Sequence, residues 1–168
     1  MSKLPPVHCT VVAPLALAAT FDLFFGRMTE WWPLATRSVT LTAAVSCHFE
    51  PRIGGRVYER ARDGREAPWG TVLVWEPPSC VVFTWHPGLP ESAATEVEVR
   101  LTAAGTNTRV DLEHRNWERL GENAARIRSL YEGGWVGVLG RFIERSSGAQ
   151  ELTSVTGPGC LDELKAKP

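Results

Sequence analysis

The chain has 168 residues, 43% of them hydrophobic and 22% charged, which suits one domain with a buried core and needs no metal or disulfide to hold it together. Lys plus Arg number 18 against 19 Asp plus Glu, and this balance excludes the basic excess of a nucleic-acid footprint. The 15 Gly and 12 Pro exclude a simple helical bundle, and seven Trp are more than packing alone calls for, as around a cavity.

Residues 7–12 read as a strand, broken by Ala13-Pro14-Leu15. Residues 15–25 follow helical spacing through Leu15, Ala18, Ala19, Asp22 and Phe25, and Trp31-Trp32-Pro33 ends the stretch. Residues 39–50 alternate, with Val39, Leu41, Ala43, Val45, Cys47 and Phe49 on one parity, which predicts a single half-buried strand. Further strands are predicted over 56–60, 70–76, 81–85, 95–102 and 108–114. Gly54-Gly55, Asp63-Gly64, Pro77-Pro78, Pro87-Gly88 and Gly105 punctuate them. After Asn116 the period changes. Tyr131, Trp135, Val138, Leu139 and Phe142 fall on one helical stripe, and Ser146-Ser147-Gly148 is read as its end. The expected fold is α+β: a curved antiparallel sheet of about six or seven strands wrapped around a long C-terminal helix. The expected division is a domain over 1–148 and a polar tail over 149–168.

Several familiar chemistries lack their residues. No Gly-x-Ser-x-Gly elbow is present. Gly54-Gly55 leads into a strand and lacks the Lys-Ser/Thr of a phosphate loop. His8-Cys9 and Cys47-His48 are strand neighbours, whose side chains point to opposite faces, so neither pair converges on one ion. One residue of each could still meet the other across strands. No metal site and no cofactor are expected. Asp111 and Glu113 share the solvent parity of their strand, and the alternating charges from Arg115 to Glu132 read as a solvated stretch. The four cysteines are scattered, and the apolar run 11–19 is interrupted by Pro14 and too short to span a bilayer. A cytoplasmic location without a membrane span is expected.

His114 ends its strand on the inward parity, so it could orient a polar ligand group, act as an acid or base, or simply bond to backbone. Trp31 and Trp32 could gate a pocket or plug the end of the sheet. Trp69, Phe83, Trp85, Trp135, Leu139 and Phe142, with Phe49, are candidates for ligand contact and for solid core alike.

In order along residues 7–146, the segments Ala13-Pro14, Trp31-Trp32-Pro33, Phe49-Glu50-Pro51-Arg52-Ile53-Gly54-Gly55, Gly70-Thr71-Val72-Leu73 to Pro77-Pro78, Val82-Phe83-Thr84-Trp85, Gly105-Thr106-Asn107-Thr108-Arg109-Val110 and Gly134-Trp135 resemble the START-like (SRPBCC) superfamily. Within it they resemble the branch named after the activator of the heat shock protein 90 ATPase. The resemblance implies a helix-grip fold with a cavity between sheet and C-terminal helix. The superfamily includes lipid carriers, hormone receptors and polyketide cyclases or aromatases, and fold alone does not choose among them. The expectation is a small hydrophobic or aromatic ligand, held by the aromatic residues named above and oriented by His114 or an indole N–H. Two alternatives stay open. One is a cyclase or hydrolase in which His114 or a tyrosine moves protons. The other is an interaction protein, as a chaperone accessory or a homodimer.

Overall fold

A computed structural model describes residues 3–155, with side chains described to residue 148. Seven strands, β1 (Val7–Ala13), β2 (Ala44–Phe49), β3 (Arg56–Ala61), β4 (Glu66–Glu76), β5 (Cys80–Trp85), β6 (Thr95–Ala104) and β7 (Asn107–Arg115), form one antiparallel sheet in the order β1-β7-β6-β5-β4-β3-β2. A short helix α1 (Leu17–Phe21) runs on into a π-helical turn (Asp22–Gly26), and a long helix α2 (Ala124–Val155) crosses the concave face. The helix-grip α+β architecture is therefore the one present.

Alternation along the strands decides the faces. On β6 and β7, Val97, Val99, Leu101, Val110, Leu112 and His114 are buried, while Glu98, Arg100, Asp111 and Glu113 face outward. Outward charges pair across strands: Arg115 reaches Glu96 at 2.6 Å, Glu98 at 2.9 Å and Glu113 at 3.0 Å. The β5-β6-β7-β1 half pairs in unbroken register. Every pair in the β2-β3-β4-β5 half carries a register shift. Each extra residue bends its strand, so the curl of the half-barrel belongs to that half. Gly70 is needed there, since a Cβ at this position would stand 1.7 Å from the Thr84 carbonyl oxygen.

Three expectations about elements change. The strand expected over 39–50 begins only at Ala44. Val39 and Leu41 are exposed, residues 41–43 form a 3-10 turn, and Leu41 takes a positive φ of 48°. Helix α2 does not end at Ser146–Gly148 but continues to Val155. Of the polar tail placed at 149–168, the backbone to Val155 is thus helical, and 156–168 lies outside the described residues. The stretch after Arg115 is not solvated throughout: Trp117 is fully buried, stacked on His114 at 4.0 Å.

Between β1 and β2 lies a strap of some 30 residues (14–43) that contains no strand and joins the two edges of the sheet. It begins where the Thr108 hydroxyl donates to the Leu15 carbonyl at 2.8 Å. Near its end the carboxylate of Glu59 on β3, fully buried, accepts from the Val39 and Thr40 amides, the Thr40 hydroxyl (2.6 Å) and the Trp69 indole N–H (2.7 Å). Burial opposes ionisation of Glu59, but these donors outweigh it and hold the carboxyl below its usual range. Among the described residues, no helix is long and apolar enough to cross a membrane.

Candidate functional site

One end of the space between sheet and helix is solid. Phe24 and Trp31 pack on Phe142 at 5.0 and 5.1 Å between ring centroids, and Phe49 on Phe25 and Phe83 at 5.1 and 5.0 Å. Leu139 is fully buried. Five of the ten candidate ligand contacts, Trp31, Phe49, Phe83, Leu139 and Phe142, therefore sit in this packed core.

The other end is open. A half-open pocket of about 430 Å³ lies between the strap and α2. Its inner wall is Trp32, Trp85 and Trp135, all three among the residues singled out in the sequence. Tyr131, Ile127, Leu130, Gly134 and Val138 supply the helix side, and Arg37, Ser38 and Val39 the strap side. Pro87 and Gly88, in the turn after β5, complete the rim. The volume falls within the range of small-molecule sites. Trp69 stands behind this wall, 5.3 Å from Trp32 and 5.5 Å from Trp85.

The wall is held rigidly by its polar edges. Trp32 donates its indole N–H to the Arg37 carbonyl at 2.7 Å, Trp85 to the Tyr131 hydroxyl at 2.9 Å, and Trp135 to His114 Nδ1 at 3.1 Å. Because Nδ1 accepts, the ring proton belongs on Nε2, which lies 2.7 Å from the Thr95 hydroxyl. That hydroxyl in turn donates to the Trp85 carbonyl at 3.0 Å. His114 is fully buried with both nitrogens engaged, and burial brings its pKa down to about 3. It stays neutral and orients Trp135 from behind, while the indole N–H groups expected to meet a ligand are all spent within the protein.

Besides Ser38, whose hydroxyl donates to the Leu34 carbonyl at 2.6 Å, two polar groups face the pocket. Tyr131 accepts from Trp85, and its own hydroxyl hydrogen has no acceptor among the described residues. Burial pushes its pKa up, against the opposing pull of the Trp85 bond and the Arg37 charge, so it remains a hydroxyl donor. Arg37 is the other. Arg37 carried no signal in the sequence, and Gly134 entered only through the Gly134-Trp135 segment of the family resemblance, because the helical stripe picks out what is apolar and not what leaves room.

Cys9 on β1 and Cys47 on β2 lie on opposite edge strands, so the cross-strand meeting left open for the His-Cys pairs does not occur. Burial pushes the Cys47 thiol up to about 12. Among the described residues no three His, Cys, Asp or Glu side chains are grouped to hold a metal.

Residues 26–145 match the family model described as Activator of Hsp90 ATPase homolog 1-like protein. The chain belongs to this family. Among solved structures, it is 32% identical to the anthrahydroquino-gamma-pyrone synthase Txn09, determined complexed with SUM, over 86% of this chain and 99% of that one (TM-score 0.60). It is 27% identical to CalC, a self-sacrificing resistance protein from Micromonospora echinospora, over 86% and 96% (TM-score 0.65). The fold is also shared with the Aha1 dimer from Colwellia psychrerythraea, at 14% identity over 84% and 95% (TM-score 0.59). No curated protein matches the chain. The similar structures thus include a synthase and a resistance protein, and the pocket rather than the likeness must indicate what this chain does.

Proposed function

We propose that the protein binds a flat aromatic small molecule in the pocket between the strap and α2. The observation that carries this reading is the wall itself: three indoles, each immobilised by its own N–H bond, beside a tyrosine and an apolar rim. Rigid aromatic faces lose little conformational freedom when a ring packs on them, and each Å² of apolar surface removed from water contributes about 25 cal/mol. The synthase relative is named for an anthrahydroquino-gamma-pyrone, a fused-ring compound, which supports this reading.

Gly134→Leu tests the reading. A Cβ at Gly134, which lies in the pocket lining, meets nothing closer than the Arg37 guanidinium at 3.7 Å, the far end of a flexible side chain, so a larger residue there takes up pocket space. Leucine is also the better helix former by up to about 1 kcal/mol. The variant is expected to be at least as stable as the parent and yet to lose an aromatic ligand, read by calorimetric titration and by native mass spectrometry of the purified protein. Unchanged binding in a stable Gly134→Leu protein places the ligand elsewhere.

A second reading, ring-forming catalysis in the same pocket, is favoured by the relative that is a synthase and by the unpaired hydroxyl hydrogen of Tyr131. A ligand recovered with a new covalent structure after incubation with the protein, read by NMR because ring closure by isomerisation leaves the mass unchanged, decides for it, and one recovered with its structure unchanged decides for binding alone.

A further inference from the structure

We infer that the ligand of this pocket is an aromatic anion, a ring system bearing a carboxylate or an equally acidic phenolic oxygen, and that Arg37 is the residue that selects it. The inference rests on the reading of the pocket as an aromatic site and adds the charge of what enters it.

Among the described residues, Arg37 is the one charged residue in the pocket lining, and no acidic side chain shares that lining. Many other arginines are neutralised locally, as where Arg27 sits on Glu30 at 2.6 Å, Arg56 on Glu66 at 2.7 Å and Arg115 on Glu96 at 2.6 Å; Arg62, Arg119, Arg126 and Arg141 also lack an ion pair among the described residues, but none of them lines the pocket. Arg37 has no carboxylate within 4 Å among the described residues, and its guanidinium makes no hydrogen bond there, although its main chain is held tightly. Its amide donates to the Pro33 carbonyl at 2.8 Å, and its carbonyl receives the Trp32 indole. Two residues on, the Val39 amide is anchored to Glu59. The backbone is therefore fixed by the same indole that forms the pocket wall, and only the side chain can adjust.

The helix opposite is shaped to receive that side chain. The guanidinium lies over Gly134, where a Cβ would be 3.7 Å from both terminal nitrogens and 3.8 Å from Cζ. A residue with a side chain there would compete for the space. The cation is thus held at the mouth, with the Tyr131 hydroxyl deeper in the same pocket. An aromatic acid lying on Trp85 and Trp135 would carry its anionic oxygen between two donors, and the planar guanidinium fork suits a carboxylate in two-point contact. A neutral ring of the same shape would leave that cation unpaired.

Two probes of equal shape and different charge test this: 2-naphthoate and 2-naphthamide, titrated calorimetrically into the full chain and into Arg37→Met and Arg37→Lys variants. The parent protein is expected to bind the carboxylate about tenfold more tightly than the amide, the scale of one charge-assisted hydrogen bond. Arg37→Met is expected to weaken the carboxylate about tenfold more than the amide and so abolish that preference, and Arg37→Lys to keep a smaller preference. Equal affinities in the parent, a preference that survives in Arg37→Met, or a loss of both ligands alike in that variant would each overturn the role of Arg37 while leaving an aromatic pocket in place. If neither probe binds the parent protein, the pocket reading itself fails, and this inference with it.

Discussion

His114 shows how a single side chain can be prominent in the sequence and serve a role other than the expected one. It lies on the inward face of β7, as its parity predicts, but its two nitrogens join Trp135 to Thr95 and so tie α2 to the sheet. The consequence is a pH dependence of stability and not of chemistry. In the folded protein the pKa falls to about 3 from the ordinary 6.5, so between those values the unfolded chain takes up a proton that the folded one refuses. Stability must then fall as pH drops below 6.5. From pH 7.5 to 5.5 the loss attributable to this residue is about 1.4 kcal/mol, from the difference in proton uptake. Urea unfolding at the two pH values measures it. His114→Gln can still accept from Trp135 and donate to Thr95 but does not titrate, and it is expected to lose this dependence even if it is less stable at pH 7.5. Its retention in the variant would assign the effect to another group.

At the scale of elements, the strands with clean alternation and the helical stripe were legible because burial on one face is written directly into their period. β6 and β7 follow their parities, and Trp135, Val138, Leu139 and Phe142 are buried together. Residues 39–43 were misleading for the same reason. Val39 and Leu41 mimic a continuation of β2, but Glu59 draws the amides of Val39 and Thr40 toward itself, and a partner 20 residues away leaves no mark on a local pattern. The pocket was half legible. Its indoles stood out as large aromatics, whereas Arg37 matters for the absence of a nearby carboxylate, which only the folded chain defines. Glycines show the same division. Gly133, Gly137 and Gly140 of α2 have open space where a Cβ would be, so Gly137→Ala is expected to raise stability by about 0.5–1 kcal/mol. Gly70→Ala, which drives a Cβ into the Thr84 carbonyl, is expected to cost at least about 3 kcal/mol. Paired denaturation curves distinguish the two, and similar values for both would contradict the close β4–β5 approach.

For the whole molecule, the strap joining the two sheet edges is what turns a packed sheet and helix into a container. One of its ends is fastened by Thr108 and the other by Glu59, so Glu59 holds the pocket rim from inside the protein. Glu59→Gln places an amide N–H₂ among groups that are themselves donors. The expected result is a loss of about 1–3 kcal/mol, the penalty for buried polar groups left without partners. Hydrogen exchange at the Val39 and Thr40 amides should quicken more than at the amides of β6 and β7. Uniform quickening across the sheet would mean that Glu59 stabilises the fold as a whole and not the strap. The depressed pKa of Glu59 also means that its contribution is present above about pH 4.5 and is lost as acid protonates it.

The indoles of the wall have an optical consequence. Trp31, Trp32, Trp69, Trp85 and Trp135 form a continuous series in which neighbouring rings are 5.3 to 6.0 Å apart. At such spacings excitation absorbed by one ring passes to its neighbours before it is emitted, and the transition dipoles couple strongly enough to shape the near-ultraviolet circular dichroism. A molecule arriving against Trp32, Trp85 or Trp135 would therefore quench the emission of rings it never touches, including Trp31 in the closed core. On the proposed function the unlabelled spectrum is itself a readout of occupancy, and a spectrum that stays unchanged while a ligand binds would place that ligand away from these indoles.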